Sequence, residues 1–252
     1  MGRLPAFVYG AVCYVAFLVT FLYMIGFLNN QVVPKSIDSG SAGPLGRSIL
    51  INVLLLALFA AQHTIMARPA FKRWWTKTVP EPIERSTFVL VTCLVLGLMV
   101  WQWRPMTTTI WQIDVGWAKA VLTGLSVFGF LFVVYSSFLI DHFDLFGMRQ
   151  VTLYLRGRPY TQAPFMARSV YRYMRHPLMA GFLIGFWATP HLTTGHLLFA
   201  GVTTAYIFFG ITVEERDLVG TLGEDYLSYR QRTSLIVPLR PRSKPASDAA
   251  RV

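Results

Sequence analysis

Arg175, His176 and Pro177 stand together in the chain, and Glu214, Glu215 and Tyr226 follow further along. Each of these types can hold one part of a zwitterionic ligand. Pro177 suits the first position of a helix, where its missing N–H would be unpaired anyway. A helix that starts there points free backbone N–H groups at negative charge, such as a carboxylate. Arg175 can add a bidentate grip on the same group. Glu214 and Glu215 can receive an ammonium or ribose hydroxyls, so the set suits a zwitterionic nucleoside such as S-adenosylmethionine. Each residue also has a plainer reading. Arg175 is then a membrane-boundary cation, His176 a helix cap, and Tyr226 and Tyr229 packing residues. The two glutamates become a solvated helix end paired with Arg216 or Arg230. Acidic side chains oppose the dipole at a helix C-terminus, so some cationic partner is expected in either case.

The rest of the chain is built for lipid. Of its 252 residues 54% are apolar and 14% charged, against about 25% charged in a soluble domain. Four apolar runs, at 5–28, 48–67, 86–103 and 120–140, contain no Asp, Glu, Lys or Arg. Their lengths match a hydrocarbon core of roughly 30 Å at about 1.5 Å per helical residue. The first run lacks a small-residue cleavage site, which argues against a signal peptide. Two further apolar stretches, 178–190 and 197–213, read as a helical hairpin that either crosses the membrane or only enters it. Leu218, Leu222, Tyr226 and Tyr229 recur at helical spacing. The expected fold is therefore all-α: a polytopic membrane helical bundle of four long transmembrane helices, a C-terminal helical hairpin and a cytoplasmic amphipathic helix. Residues 1–140 form the bundle, 141–238 a cofactor-binding catalytic region with the hairpin, and 239–252 a disordered tail. No internal repeat is present, which removes the inverted-repeat signature of many transporters.

A net charge of +11 raises the question of nucleic acid, and the placement of the charges answers against it. Nineteen of the 23 Lys and Arg fall at Arg3 or in 67–85, 141–177 and 214–252. The positive-inside rule then puts both termini and these segments in the cytoplasm, with an even number of crossings. The expected location is a bacterial inner membrane, where the basic segments can also meet anionic lipid. Trp74 and Trp75 fall at the cytoplasmic boundary, and Trp101, Trp103, Trp111 and Trp117 at the opposite one. Cys13 and Cys93 sit in separate apolar runs and form no disulfide framework. No His, Cys or Asp set has metal-ligand spacing, so no metal is expected.

Topology gathers the polar residues. The hairpin's entry and exit lie on one side of the membrane, so Arg175 and His176 at its opening become neighbours of Glu214 and Glu215 at its close. The second helix delivers His63 to the same side, and the fourth delivers Asp141, His142 and Asp144. His63 and His142 also read as interfacial structure, and His191 and His196 at the hairpin tip receive no role.

The run Arg175-His176-Pro177-Leu178-Met179-Ala180-Gly181, with Glu214-Glu215 and Tyr226 after it, resembles the isoprenylcysteine carboxyl methyltransferase superfamily of integral membrane enzymes. Its motif is R-H-P-x-Y-x-G followed by E-E. The wider sequence is most similar to the methanethiol S-methyltransferase branch. There the likeness is carried by Gln62-His63, the run from Ala67 to Trp75, Pro82-Ile83-Glu84-Arg85-Ser86, the run from Asp144 to Gln150, and Gly157-Arg158-Pro159-Tyr160. It covers about residues 50–238. Met179 stands at the motif's Tyr position, so one hydroxyl contact is lost.

The resemblance implies methyl transfer from S-adenosylmethionine to a small apolar thiol, turning methanethiol into dimethyl sulfide. Arg175, His176, Pro177, Glu214, Glu215 and Tyr226 would then bind the cofactor, and Asp144, Arg149 and Gln150 would face the substrate. Thiols with a pKa near 8.5 are mostly protonated at neutral pH, so a base or a positive field is required. Asp141, His142 and His63 are the available bases, and Arg149 can supply the field. Two alternatives stay open: methylation of another small or prenylated substrate, and a non-catalytic membrane sensor or transport component.

Overall fold

The computed structural model describes residues 1–161 and 168–238; the tail expected to be disordered lies outside them. Five helices are long and apolar enough to cross a membrane: α1 (Arg3–Asn29), α2 (Leu45–Ala67), α4 (Glu81–Gln102), α5 (Gly116–Ile140) and α9 (Thr194–Leu222). At about 1.5 Å per residue even the shortest exceeds 30 Å. Their outward faces carry Val8, Val12, Val19, Leu22, Leu54, Leu94, Leu131 and Phe209, all exposed. Such surfaces belong in lipid, and the molecule is a polytopic helical membrane protein. The fifth long helix is the second arm of the expected hairpin.

Shorter elements cluster at the two ends. One end carries α3 (Pro69–Trp75), α6 (His142–Leu145), α7 (Met148–Leu155), a 3₁₀ turn at Ser169–Arg172 and α10 (Glu224–Arg232). The other carries β1 (Thr109–Gln112) and β2 (His191–Thr193), paired antiparallel. This ribbon interrupts the all-α expectation for a physical reason. The hairpin's first arm, α8 (Pro177–Trp187), has 11 residues and reaches only about 16 Å. After a turn at Thr189, His191–Thr193 continues as β2, and β1 supplies the hydrogen bonds its backbone needs. The amides of Thr194 and Gly195 likewise donate to Thr108 O and Met106 O, each at 2.9 Å.

Glycines set how close α8 comes to α5. A Cβ on Gly129 would lie 2.5 Å from Gly185 N and 2.7 Å from Gly181 O. Gly181 and Gly185 stand four apart on one helix face, the spacing that lets two membrane helices touch backbone to backbone. Ser126 adds a hydroxyl bond to Gly185 O at 2.9 Å. Beyond α8 the core continues through Phe130, Phe186, Phe199, Trp103 and Phe27, with edge-on rings between the last three. Trp103 is thus a core residue, not an interfacial one, whereas Trp101 and Trp117 are exposed as boundary indoles should be.

Three local expectations change. Glu214 and Glu215 do not close the hairpin; they lie inside α9, two turns before its end. The predicted amphipathic helix is two pieces, because Gly223 at φ +54° breaks the chain between Leu222 and Glu224. The polar stretch 141–177 contains α7, whose Val151 fills the space beside Gly10 of α1. Replacing Gly129 with Leu forces the α5–α8 crossing apart. The expected cost is at least the roughly 1–3 kcal/mol of an overpacked core, read as a lower melting temperature in detergent. Gly124→Leu, at a position where an added Cβ meets nothing within 4 Å, is expected to leave melting unchanged.

Candidate active site

Pro177 opens α8, and no side chain caps that end. The residues just before it are pinned from behind. The amides of Arg175 and His176 donate to Ser234 O at 2.9 Å and Leu235 O at 3.1 Å, so residues 234–235 run alongside the Arg175 strap. Arg175 Nε donates to Glu215 Oε1 at 2.6 Å, and its Nη1 donates to the carbonyls of Arg230 (3.0 Å) and Thr233. His176 Nε2 lies 3.2 Å from the same Glu215 oxygen, and Arg230 Nε lies 3.4 Å from the other. Three basic side chains from two segments therefore surround one buried carboxylate. Buried carboxylates persist when compensated in this way.

Glu214 behaves differently. Its side chain is 52% exposed against 9% for Glu215, and its Oε2 stands 3.7 Å from His176 Nδ1. Successive helical residues point about 100° apart, so only one of the pair can face the node. Tyr226 is buried and packs 5.8 Å from the ring of Tyr229. Burial, with the charge of Glu215, raises Tyr226, and burial pushes Tyr229 up to about 12 although Arg175 opposes it. Both phenols remain protonated, and Tyr229 gives its proton to Tyr171 O at 2.6 Å.

A second cluster surrounds His142, which is 4% exposed. Its ring stacks on Phe138 at 4.2 Å and 7° and meets Phe143 and Phe146. Asp141 caps α6, accepting from the Asp144 amide at 3.0 Å, and pairs with Arg149 at 2.6 Å. Asp144 accepts from Gln150 at 3.3 Å and from the Tyr160 hydroxyl at 3.1 Å. The carboxylates expected as a base and a substrate contact are therefore engaged inside the protein, and Arg149 is neutralised by Asp141. Burial lowers His142 below the ordinary histidine value, with Asp141 opposing. The imidazole is accordingly neutral near pH 7 and able to take a proton. Gly147, at φ +86°, brings this loop against Ser86, where a Cβ would come within 2.6 Å of the serine oxygen.

His63 joins neither cluster by a hydrogen bond. It stacks between Phe59 (5.4 Å) and Phe88 (5.0 Å), and its buried Nδ1 has no partner among the described residues. Arg85 covers the same Phe88 ring at 4.8 Å and donates to Leu145 O at 2.7 Å. Two participants were not singled out by residue type: Tyr14 and Ser137, which hold the two nitrogens of His142 at 2.8 and 2.7 Å. Both lie in apolar runs, where a hydroxyl gives no signal until its partner is known. Among the described residues no group of three or more His, Cys, Asp and Glu is placed to hold a metal ion.

The model of the NnrU protein family matches residues 51–236, a span that contains both clusters except for Tyr14. The chain belongs to the NnrU family. This NnrU-family protein is also 51% identical over 237 residues to methanethiol S-methyltransferase 2 of Bradyrhizobium diazoefficiens, covering 94% of this chain and 91% of that one. It is 48% identical over 238 residues to the methanethiol S-methyltransferase of Mycobacterium tuberculosis, covering 94% and 98%. No solved structure matches it. The likeness read from the motifs is thus borne out by relatives that span nearly the whole chain. In this NnrU-family protein Arg175→Ala is expected to strand a buried carboxylate. The cost should be about 3–5 kcal/mol, measured by thermal unfolding in micelles, while Glu214→Gln should melt like the parent.

Proposed function

We propose that this protein is a membrane methyltransferase that transfers a methyl group from S-adenosylmethionine to methanethiol, producing dimethyl sulfide. The observation that carries the reading is the near full-length likeness to proteins named methanethiol S-methyltransferase. The Arg175 cluster supports the cofactor. The uncapped start of α8 offers backbone amides to a carboxylate, and the half-exposed Glu214 stands close by for an ammonium. These opposite charges lie side by side, as a zwitterion requires. S-adenosylmethionine, when bound, supplies an electrophilic methyl on a sulfonium. Glu214 and the α8 amides would hold its amino-acid end. Glu215, Arg175 and Arg230 keep α8, α9 and α10 in register behind it, and His176 bridges the two glutamates. Tyr226 backs the node as a buried, protonated phenol.

His142 takes the thiol's proton, and Asp141 and Arg149 hold α6 and α7 in place around it. Asp144 and Gln150 brace the same loop. His63 stands in reserve as a polar group among aromatics on the substrate side. Residues 1–140 act as the bundle and 141–238 as the cofactor-binding region, although Phe130, Phe186 and Phe199 join both into one core. The basic end faces the cytoplasm of a bacterial inner membrane, with both termini there. The charged cofactor then arrives from water, while thiol and thioether pass through lipid. Purified protein given methanethiol and S-adenosylmethionine is expected to release dimethyl sulfide, measured by headspace gas chromatography. Glu214→Gln should weaken cofactor binding at least about tenfold, the scale of one charge-assisted hydrogen bond, in calorimetry at unchanged melting temperature. Wild-type protein that binds no cofactor would sink the reading.

A further inference from the structure

His142 is the buried base of the site, but it offers no free nitrogen. Nδ1 lies 2.7 Å from Ser137 Oγ and Nε2 lies 2.8 Å from the Tyr14 hydroxyl. Proton counting settles the directions. Ser137 has one hydroxyl proton, and it donates this to Val134 O at 2.6 Å in a back-bond to its own helix. Towards His142 the serine oxygen can then only accept, so Nδ1 carries the imidazole proton. Nε2 of the neutral ring is an acceptor, and the Tyr14 hydroxyl donates to it. The chain of donors runs from Tyr14 through His142 and Ser137 to Val134 O. Rings close the remaining sides of the imidazole: Phe138 stacks on it, and Phe17, Phe143 and Phe146 surround it. Tyr14 itself is half-buried, less enclosed than His142 at 4% exposure.

We propose that Tyr14 is a catalytic residue, the relay through which the thiol gives its proton to His142. This inference rests on the methyltransferase reading above. The thiol's S–H bond breaks and its proton passes to the Tyr14 oxygen, while Tyr14's own proton passes to His142 Nε2. The sulfur lone pair forms the new S–CH3 bond. The bond from that methyl to the donor's sulfonium sulfur breaks, and its electron pair stays on the donor sulfur. One proton remains on the imidazolium and leaves by the same route, through Tyr14 to water, once the thioether has gone. Ser137 holds the ring in the tautomer that keeps Nε2 ready.

The charged and titratable groups around the imidazole fit this role. From α1 it meets Tyr14, and from α5 it meets Ser137 and the apolar Phe138. From α6 and α7 come Asp141 and Arg149, which cancel each other as a pair at 2.6 Å. Asp144 is bound to Gln150 and Tyr160. Asp141, although paired with Arg149, still favours the protonated ring that burial resists.

Tyr14→Phe keeps the ring and removes one oxygen, so packing against Phe17, Phe143 and Phe146 survives. Near pH 7 kcat for dimethyl sulfide formation is expected to fall roughly 100-fold or more, the usual reach of a positioned acid–base group. Cofactor binding by calorimetry and the melting temperature should stay at the wild-type level. Raising the pH towards about 10, where thiols ionise unaided, should restore the variant's kcat towards the parent's. His142→Gln should show the same deficit and the same recovery, and the double variant should be no worse than the poorer single one. A Tyr14→Phe protein with wild-type kcat near pH 7 would overturn the relay, as would a deficit that persists at high pH. Both outcomes leave wild-type dimethyl sulfide formation intact, whereas its absence in the parent would instead remove the underlying reading.

Discussion

A carboxylate pulled out of water must be surrounded by positive charge or donors, and Glu215 is the place where this chain meets that demand. Its two oxygens draw in Arg175 and His176 from the start of α8 and Arg230 from α10. Through Arg175 the node also takes up the carbonyls of Arg230 and Thr233. Most of the structure at this end follows. The Arg175 strap cannot swing away, α10 must fold back after the break at Gly223, and α8 must begin where it does. The neighbouring Glu214, relieved of structural duty, keeps half its surface open. Adjacent glutamates that look alike in the chain thus divide into a buried brace and an open face.

The His142 cluster is built on a different principle. There the ring is dried by aromatics rather than balanced by charge, and its hydrogen bonds come from neutral hydroxyls. Carboxylates stand one and two residues away but are spent on a cap, an ion pair and a loop brace. Low polarity of this kind strengthens whatever electrostatic interactions it encloses, so the neutral hydroxyl partners of the imidazole count for more than they would in water.

Much of this was legible before any coordinates. Charge-free runs of twenty residues have few options in a membrane, and the rule that a hairpin returns to its own side placed Arg175 beside Glu215. Other features could not be read from the chain alone. Which glutamate turns inward depends on where α10 packs, a tertiary fact. Tyr14 in an apolar run looks like any lipid-facing aromatic, because its meaning comes from a histidine 128 positions away. Trp103 looked interfacial by spacing alone, yet it fills the core between Phe27 and Phe199. The ribbon of β1 and β2 escaped notice since three or four residues of strand leave no periodicity to detect. Gly223 reads as one more helix residue until its positive φ is seen.

The pairing of residues 234–235 with the backbone of Arg175 and His176 has a consequence for how the protein is made. Among the described residues the five helices long and apolar enough to cross a membrane end by Leu222, so they are synthesised before the segment that closes the Arg175 strap from behind. Only when Ser234 and Leu235 emerge can they take the amides of the Arg175 strap and bring Arg230 onto Glu215. Until then a buried carboxylate waits with part of its compensation missing. Completion of the Glu215 node therefore waits for a segment made after those five helices.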